Sequence, residues 1–156
     1  MTTTTAGTDA TAGRDEAQIR QLMAGKETAM RARDAERLIS QYGPDAVTFD
    51  LAPPLRRAGE QVRDAARLRD WFAGFDGPIE FEIRDLAVTA GGDVAFCHSL
   101  NRLSATPHGM PGPFELWFRS TVCLRSVGGT WQIAHEHNST PFYMDGSFRA
   151  ALDLRP

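Results

Sequence analysis

Apolar residues recur three and four positions apart early in the chain and two apart later. Ile19, Leu22, Met23, Met30, Leu38 and Ile39 fall on one side of a helical repeat. That spacing predicts helix from about Asp15 to Tyr42, broken near Asp34 into a long and a short piece. Gly43 and Pro44 stop it. "AVTFDL", Ala46 to Leu51, reads as a short strand, and "APPLRRAGE" as a Pro/Arg loop. Val62, Ala65, Leu68, Trp71, Phe72 and Phe75 mark a third helix from about Gln61 to Phe75.

From Ile79 onward the alternation is strand-like. "IEFEIRDLAVTA", "VAFCHSLNRLSA", "FELWFRSTVCLRS" and "WQIAHEHNST" read as four strands. Gly91–Gly92–Asp93, the "TPHGMPGP" loop and Val127 to Thr130 turn the chain between them. Helices first and hairpin-linked strands last predict an α+β fold. N-terminal helices would cover a strongly curved antiparallel sheet, forming a cone with an internal cavity, a cystatin-like α+β barrel. Such a hollow is a natural small-molecule site.

A chain of 156 residues suits one domain and buries its own core. The expected division is a disordered leader over 1–13, the domain over 14–143 and a tail over 144–156. The Thr, Ala and Gly content of "MTTTTAGTDATAG" carries the first of these. Net charge is −3 with both signs mixed, unlike the basic footprint of a nucleic-acid binder. No apolar run approaches a membrane span. Cys97 and Cys123 are too few for a disulfide framework and read as buried free thiols in a reducing cytoplasm. Lys26 is the only lysine among many arginines, a bias that fits a GC-rich bacterial genome.

Side chains alternate across a strand. In the last strand Trp131, Ile133, His135, His137 and Ser139 share one face, and Glu136 and Asn138 take the other. Val94, Phe96, His98, Leu100 and Arg102 share a face, as do Glu115, Trp117, Arg119, Thr121 and Cys123. The expectation is that His98, Arg119, Thr121, His135 and His137 meet inside the cone. Glu136 and Asn138 would then lie on its convex side.

"WFRSTVCLRSVGGTWQIAHEHNSTPF" resembles the signature of SnoaL-like and ketosteroid isomerase-like proteins of the nuclear transport factor 2-like superfamily: an Arg-x-Thr strand, a glycine turn, then Trp-x-Ile and His-x-His-x-Ser. "YGPDAVTFDLAPPLRRAG" is similar to the family's first strand. The resemblance runs from about Asp15 to Phe142. It implies the cone fold, a small carbonyl-containing ligand and a homodimer through the convex sheet face. It puts Asp50 where ketosteroid isomerases keep their general base. Lys26 or a neighbour stands in place of the oxyanion-holding tyrosine, and about Thr121 in place of the protonated aspartate. Steroid isomerisation itself is therefore not implied.

Asp50, His98, Arg119 and His137 are the expected catalytic groups, as base, acid–base partners and anion clamp. Trp117, Thr121, His135 and Ser139 are expected to line the ligand. Three functions stay open. One is a cofactor-independent isomerase, cyclase or dehydratase, needing no metal. Another is a non-catalytic dimeric binding or assembly module. The third is a metal-dependent enzyme using His98, His135, His137 and Asp50.

Overall fold

The long N-terminal repeat forms two helices, α1 (Thr5–Ala32) and α2 (Ala35–Ser40). A computed structural model describes the backbone of residues 5–156, and the side chains from Ala10 onward. Thr5 to Gly13, expected in the leader, are the first turns of α1, while residues 1–4 lie outside the described residues. The break between the helices is built by two residues. Arg33 takes φ +56°, a left-handed conformation that ends a helix. Its guanidinium donates to the carbonyls of Phe72 and Phe75 at 3.0 and 3.2 Å, which fastens the break to the next helix. Asp34 then caps α2, accepting the Arg37 N–H at 2.9 Å. A third helix, α3 (Ala65–Ala73), is capped the same way by Asp64.

The described residues hold six strands, the first two of them before α3: β1 (Tyr42–Phe49), β2 (Arg57–Ala58), β3 (Phe75–Gly91), β4 (Val94–Pro107), β5 (Phe114–Val127) and β6 (Thr130–Ser139). They form one sheet in the order β2-β1-β6-β5-β4-β3. All neighbours are antiparallel except β1 and β6, which run parallel. The sheet stays open, with β2 and β3 as its edges. Irregularities in β3, after Asp76 and after Arg84, break its ladder, and such bulges bend a strand and raise its twist. The tail folds back: Ala151 is buried, its N–H donates to Pro141 at 2.8 Å, and Arg155 pairs with Glu115 at 2.7 Å. Both cysteines are free. No helix among the described residues is long and apolar enough to cross a membrane.

The helices cover one face of the sheet, and two apolar clusters fill the space between. One joins Ile19 and Met23 of α1 to Ala95, Cys97, Val122, Leu124, Trp131 and Ile133. The other joins Ala29, Leu38 and Phe72 to Phe81, Leu103, Ala105 and Phe118. Along each element the two clusters are separated by polar residues: Lys26 on α1, Ser99 and Asn101 on β4, Ser120 on β5. A buried polar belt therefore crosses the core.

Candidate functional site: a buried polar belt and the cleft that reaches it

The strand alternation places the expected histidine cluster on the side of the sheet that the helices leave bare. Ala95, Cys97, Ser99, Asn101 and Leu103 are the buried, helix-facing residues of β4, so Val94, Phe96 and His98 point outward. On β5, Phe118, Ser120, Val122 and Leu124 face the helices, leaving Arg119 and Thr121 exposed. On β6, Cys123 pairs with His135 but Leu124 pairs with Ile133, so Ala134 is an extra residue. This bulge reverses the alternation. Trp131 and Ile133 face the helices as expected, and beyond the bulge Glu136 does too, while His137 is exposed. The expectation that His98, Arg119, Thr121, His135 and His137 point into the cone is thus corrected, as is that of Glu136 and Asn138 on the outer face.

These side chains do converge, on the open face. His98 sits opposite Thr121, and Thr121 opposite His137. The Arg119 Nε–H donates to Ser139 Oγ at 3.2 Å. His135 donates from Nδ1 to the Val47 carbonyl at 2.8 Å, and Phe49 packs edge-on against both His135 and His137. Trp117 carries the Arg84 guanidinium 4.6 Å from its ring centre. Among the described residues no group of three or more His, Cys, Asp or Glu side chains is placed to hold a metal ion.

On the helix-covered face the belt centres on Glu136, which is 4% exposed, and Lys26, 6% exposed. The Lys26 ammonium and the Tyr42 hydroxyl both donate to Glu136 Oε2. Lys26 Nζ also donates to the Tyr42 oxygen at 3.0 Å. The Asn138 amide donates to Glu136 Oε1 at 3.2 Å. Burial raises the glutamic acid's pKa, but the Lys26 charge and the three hydrogen bonds outweigh it and hold the carboxyl below its usual range. Burial pulls the lysine down, and Glu136 with Tyr42 more than reverses this. Burial and the Glu136 charge push the Tyr42 phenol up, against the opposing Lys26 charge. The trio is an ammonium, a carboxylate and a neutral phenol. Sequence reasoning missed it, although Lys26 fits the helical stripe of Ile19, Leu22, Met23 and Met30, where a lone lysine needs a partner.

A cleft of about 610 Å³ opens at the end of the sheet, between the loop after β1 and the end of β6. Its walls are mainly apolar, from Phe49, Leu51, Pro53 and Leu55, with Asp50, Arg56, His137 and Asn138 as polar groups. Asp50 is fixed by an ion pair to Arg57 and by the Thr48 hydroxyl at 3.3 Å. Asn138 belongs to both places: it lines the cleft and it binds Glu136. Of the expected catalytic set, the cleft brings together Asp50 and His137. His98 and Arg119 do not line it.

The pattern of the SnoaL-like domain family matches residues 19–143. A solved NTF2-like protein of unknown function from Pseudomonas putida KT2440 is 36% identical over 93% of this chain and 99% of its own, with a TM-score of 0.80. A candidate scytalone dehydratase from Novosphingobium aromaticivorans gives a TM-score of 0.74 at 16% identity, covering 94% and 95% of the two chains. A ketosteroid isomerase-like protein from Erwinia carotovora atroseptica gives 0.65 at 22%, covering 79% and 93%. The last two likenesses are of fold alone. No functionally curated protein matches the chain.

Proposed function

The chain belongs to the SnoaL-like domain family, and on that premise we propose that it binds a small carbonyl-containing molecule in the cleft at the end of β6 and acts there as a cofactor-independent isomerase, cyclase or dehydratase. The observation that carries this reading is the meeting of a carboxylate, an imidazole and an amide, Asp50, His137 and Asn138, in one largely apolar cleft that Arg56 also lines. Asp50 accepts the acidic proton beside the ligand carbonyl, and His137 donates a hydrogen bond to the oxygen on which the enolate charge develops. Arg57 orients the carboxylate through their ion pair.

A screen of small ketones and hydroxyketones, followed by NMR for product, tests this. Asp50→Asn is expected to lower kcat about 100-fold or more, the usual contribution of a positioned base. His137→Ala should lower it about tenfold or more, in line with the loss of one donor to a developing oxyanion. Full turnover in both variants overturns the assignment.

A second reading is a binding module without chemistry. Its support is that both carboxylates near the cleft are already engaged, Asp50 by Arg57 and Glu136 by three donors. A ligand recovered unchanged after long incubation selects it.

We also propose that the open sheet face takes a second copy of the chain. Its support is Val94 and Phe96, which expose 53% and 48% of their surface beside His98, an apolar patch of the kind that marks interfaces. Phe96→Glu is expected to convert a dimer to a monomer in sedimentation. A dimer of undiminished affinity would overturn this placement.

A further inference from the structure

A groove of about 430 Å³ lies between α1, α2 and the turn that joins β5 to β6. That volume falls in the usual range of small-molecule sites. Thr130 and Trp131, at the start of β6, form part of its wall, whereas His137 and Asn138 of the cleft stand at the strand's other end. His137 is six residues beyond Trp131, about 20 Å along a strand. The two hollows share no residue.

The charge of the groove is out of keeping with the chain. The chain has 20 acidic residues and a net charge of −3, yet no carboxylate lines this groove, and its charged wall residue is Arg37. Glu36, beside it in the chain, pairs with Arg69. Among the described residues no carboxylate pairs with Arg37. A guanidinium is a planar fork of N–H donors that accepts nothing, so the partner it lacks is an oxyanion. Gln18, Gln21 and Thr130 add two amides and a hydroxyl to the walls. These groups both give and accept hydrogen bonds, as hydroxyl groups require of their partners.

The floor of the groove is kept clear by Gly25, inside α1. Glycine is disfavoured against alanine in a helix interior, and close packing does not demand it here. A Cβ on Gly25 would stand 3.4 Å from Gln41 Nε2 and 3.5 Å from a terminal nitrogen of Arg37, both ordinary contact distances. Gln41 cannot swing aside freely, because its amide donates to the Leu22 carbonyl at 3.0 Å. A side chain at position 25 would therefore take up space beneath Arg37 and Gln41, the space that the groove now holds.

We infer that this groove is a second ligand site, which takes an oxyanion carried on a hydroxyl-bearing molecule, the chemistry shared by sugar acids and sugar phosphates. Arg37 clamps the oxyanion through its fork, and Gln18, Gln21 and Thr130 hold the hydroxyls. This goes beyond the cleft and is independent of what the cleft binds.

Calorimetric titration of the full chain with gluconate, glucose 6-phosphate and glucose tests it. At least one of the two anions is expected to bind about tenfold or more tightly than glucose, the gain from one charge-assisted contact. Which of them does so separates the carboxylate from the phosphate. The matching bare anion, acetate or inorganic phosphate, should bind more weakly, since it reaches none of the amides. Arg37→Gln, at an exposed position, should melt as the native chain does and lose the tenfold preference. Gly25→Ala should melt higher, because alanine favours the helix, and bind about fivefold or more weakly, the effect of a methyl forced into a filled site. Arg56→Gln, in the wall of the cleft, should leave the titration unchanged. No preference over glucose overturns the inference, as does a bare anion that binds as tightly as its sugar derivative. Binding undiminished in Arg37→Gln or in Gly25→Ala, or lost in Arg56→Gln, places the anion elsewhere and overturns it too.

Discussion

Lys26→Met should destabilise the fold by about 3–5 kcal/mol, the usual cost of stripping one partner from a buried ion pair. Domain stabilities are only about 5–15 kcal/mol, so this is a large fraction of the whole. The reason lies in what remains. Methionine fills much of the lysine's volume, so no large cavity forms. Glu136 keeps the Tyr42 and Asn138 hydrogen bonds but loses the ammonium paired with it. A carboxylate between two apolar clusters then has no counter-ion. Lys26→Met/Glu136→Gln removes that charge and keeps an acceptor for Tyr42, and should regain about 2 kcal/mol of the loss. Urea unfolding of the three proteins checks this. A single variant as stable as the native chain would show that the pair contributes nothing.

The pH dependence gives a second reading of the same pair. Glu136 has its carboxyl held below the usual range when folded. Its contribution is present above the ordinary carboxylate pKa of about 4.3 and is lost as pH falls through the lower folded value. Lys26 is held above its usual range. Its contribution is complete below about pH 10.4 and is lost as pH rises through the higher folded value. Tyr42 has the same sign as the lysine. The native trio therefore contributes a constant amount between about pH 5 and 10. In Lys26→Met the remaining carboxyl is dominated by burial and shifts upward, so protonation relieves it. The gap between native and variant should narrow from pH 8 to pH 5. A gap that widens on acidification contradicts this.

Much of the fold is written in local chemistry. Asp34 and Asp64 are caps, and each helix begins just after them. Gly92 and Gly128–Gly129 adopt positive φ, as tight hairpin turns require. The weaker expectations fail where tertiary contacts override local signals. Gly43 and Pro44 look like a helix stop, yet they lie inside β1, with its register irregular between Tyr42 and Val47. Arg57 and Ala58 pair as a two-residue strand that no periodicity can announce. The candidate site divides the same way. Cross-strand adjacency of His98, Thr121 and His137 follows from hairpin order and alternation. Which face the helices cover does not, since Val94 and Phe96 look more like core than Ala95, Cys97 and Ser99 do. The small residues are the buried ones because they face the helices, and the larger ones lie on the bare face. Ala134 carries no glycine or proline mark, so nothing local says that the alternation breaks there.

Deleting Gln132 should cost the fold about 2–5 kcal/mol, whereas deleting Ala134 should leave every side chain of β6 on its present side. The bulge lets Ile133 and Glu136 face the helices from the same strand, although they are three residues apart. Without Ala134 they stand two apart, and strict alternation puts both on the helix-covered side. Ile133 then still falls opposite Leu124 and His135 opposite Cys123, so the ladder closes without the extra residue. Removing Gln132 shortens the strand by the same length on the other side of Ile133, and a one-residue slip reverses the side chains beyond it. If Ile133 stays in the core, Trp131 turns to the bare face. If Trp131 stays and Glu136 keeps Lys26, the bulge is absorbed, Ala134 takes the place of Ile133 and Ile133 is expelled. Removing one large side chain from a packed cluster costs about 2–5 kcal/mol, a large fraction of the stability of a domain. Circular dichroism and the urea midpoints of the two deletions measure the outcome. A Gln132 deletion as stable as the Ala134 deletion would mean that the facing of Trp131 and Ile133 does not hold this strand in place.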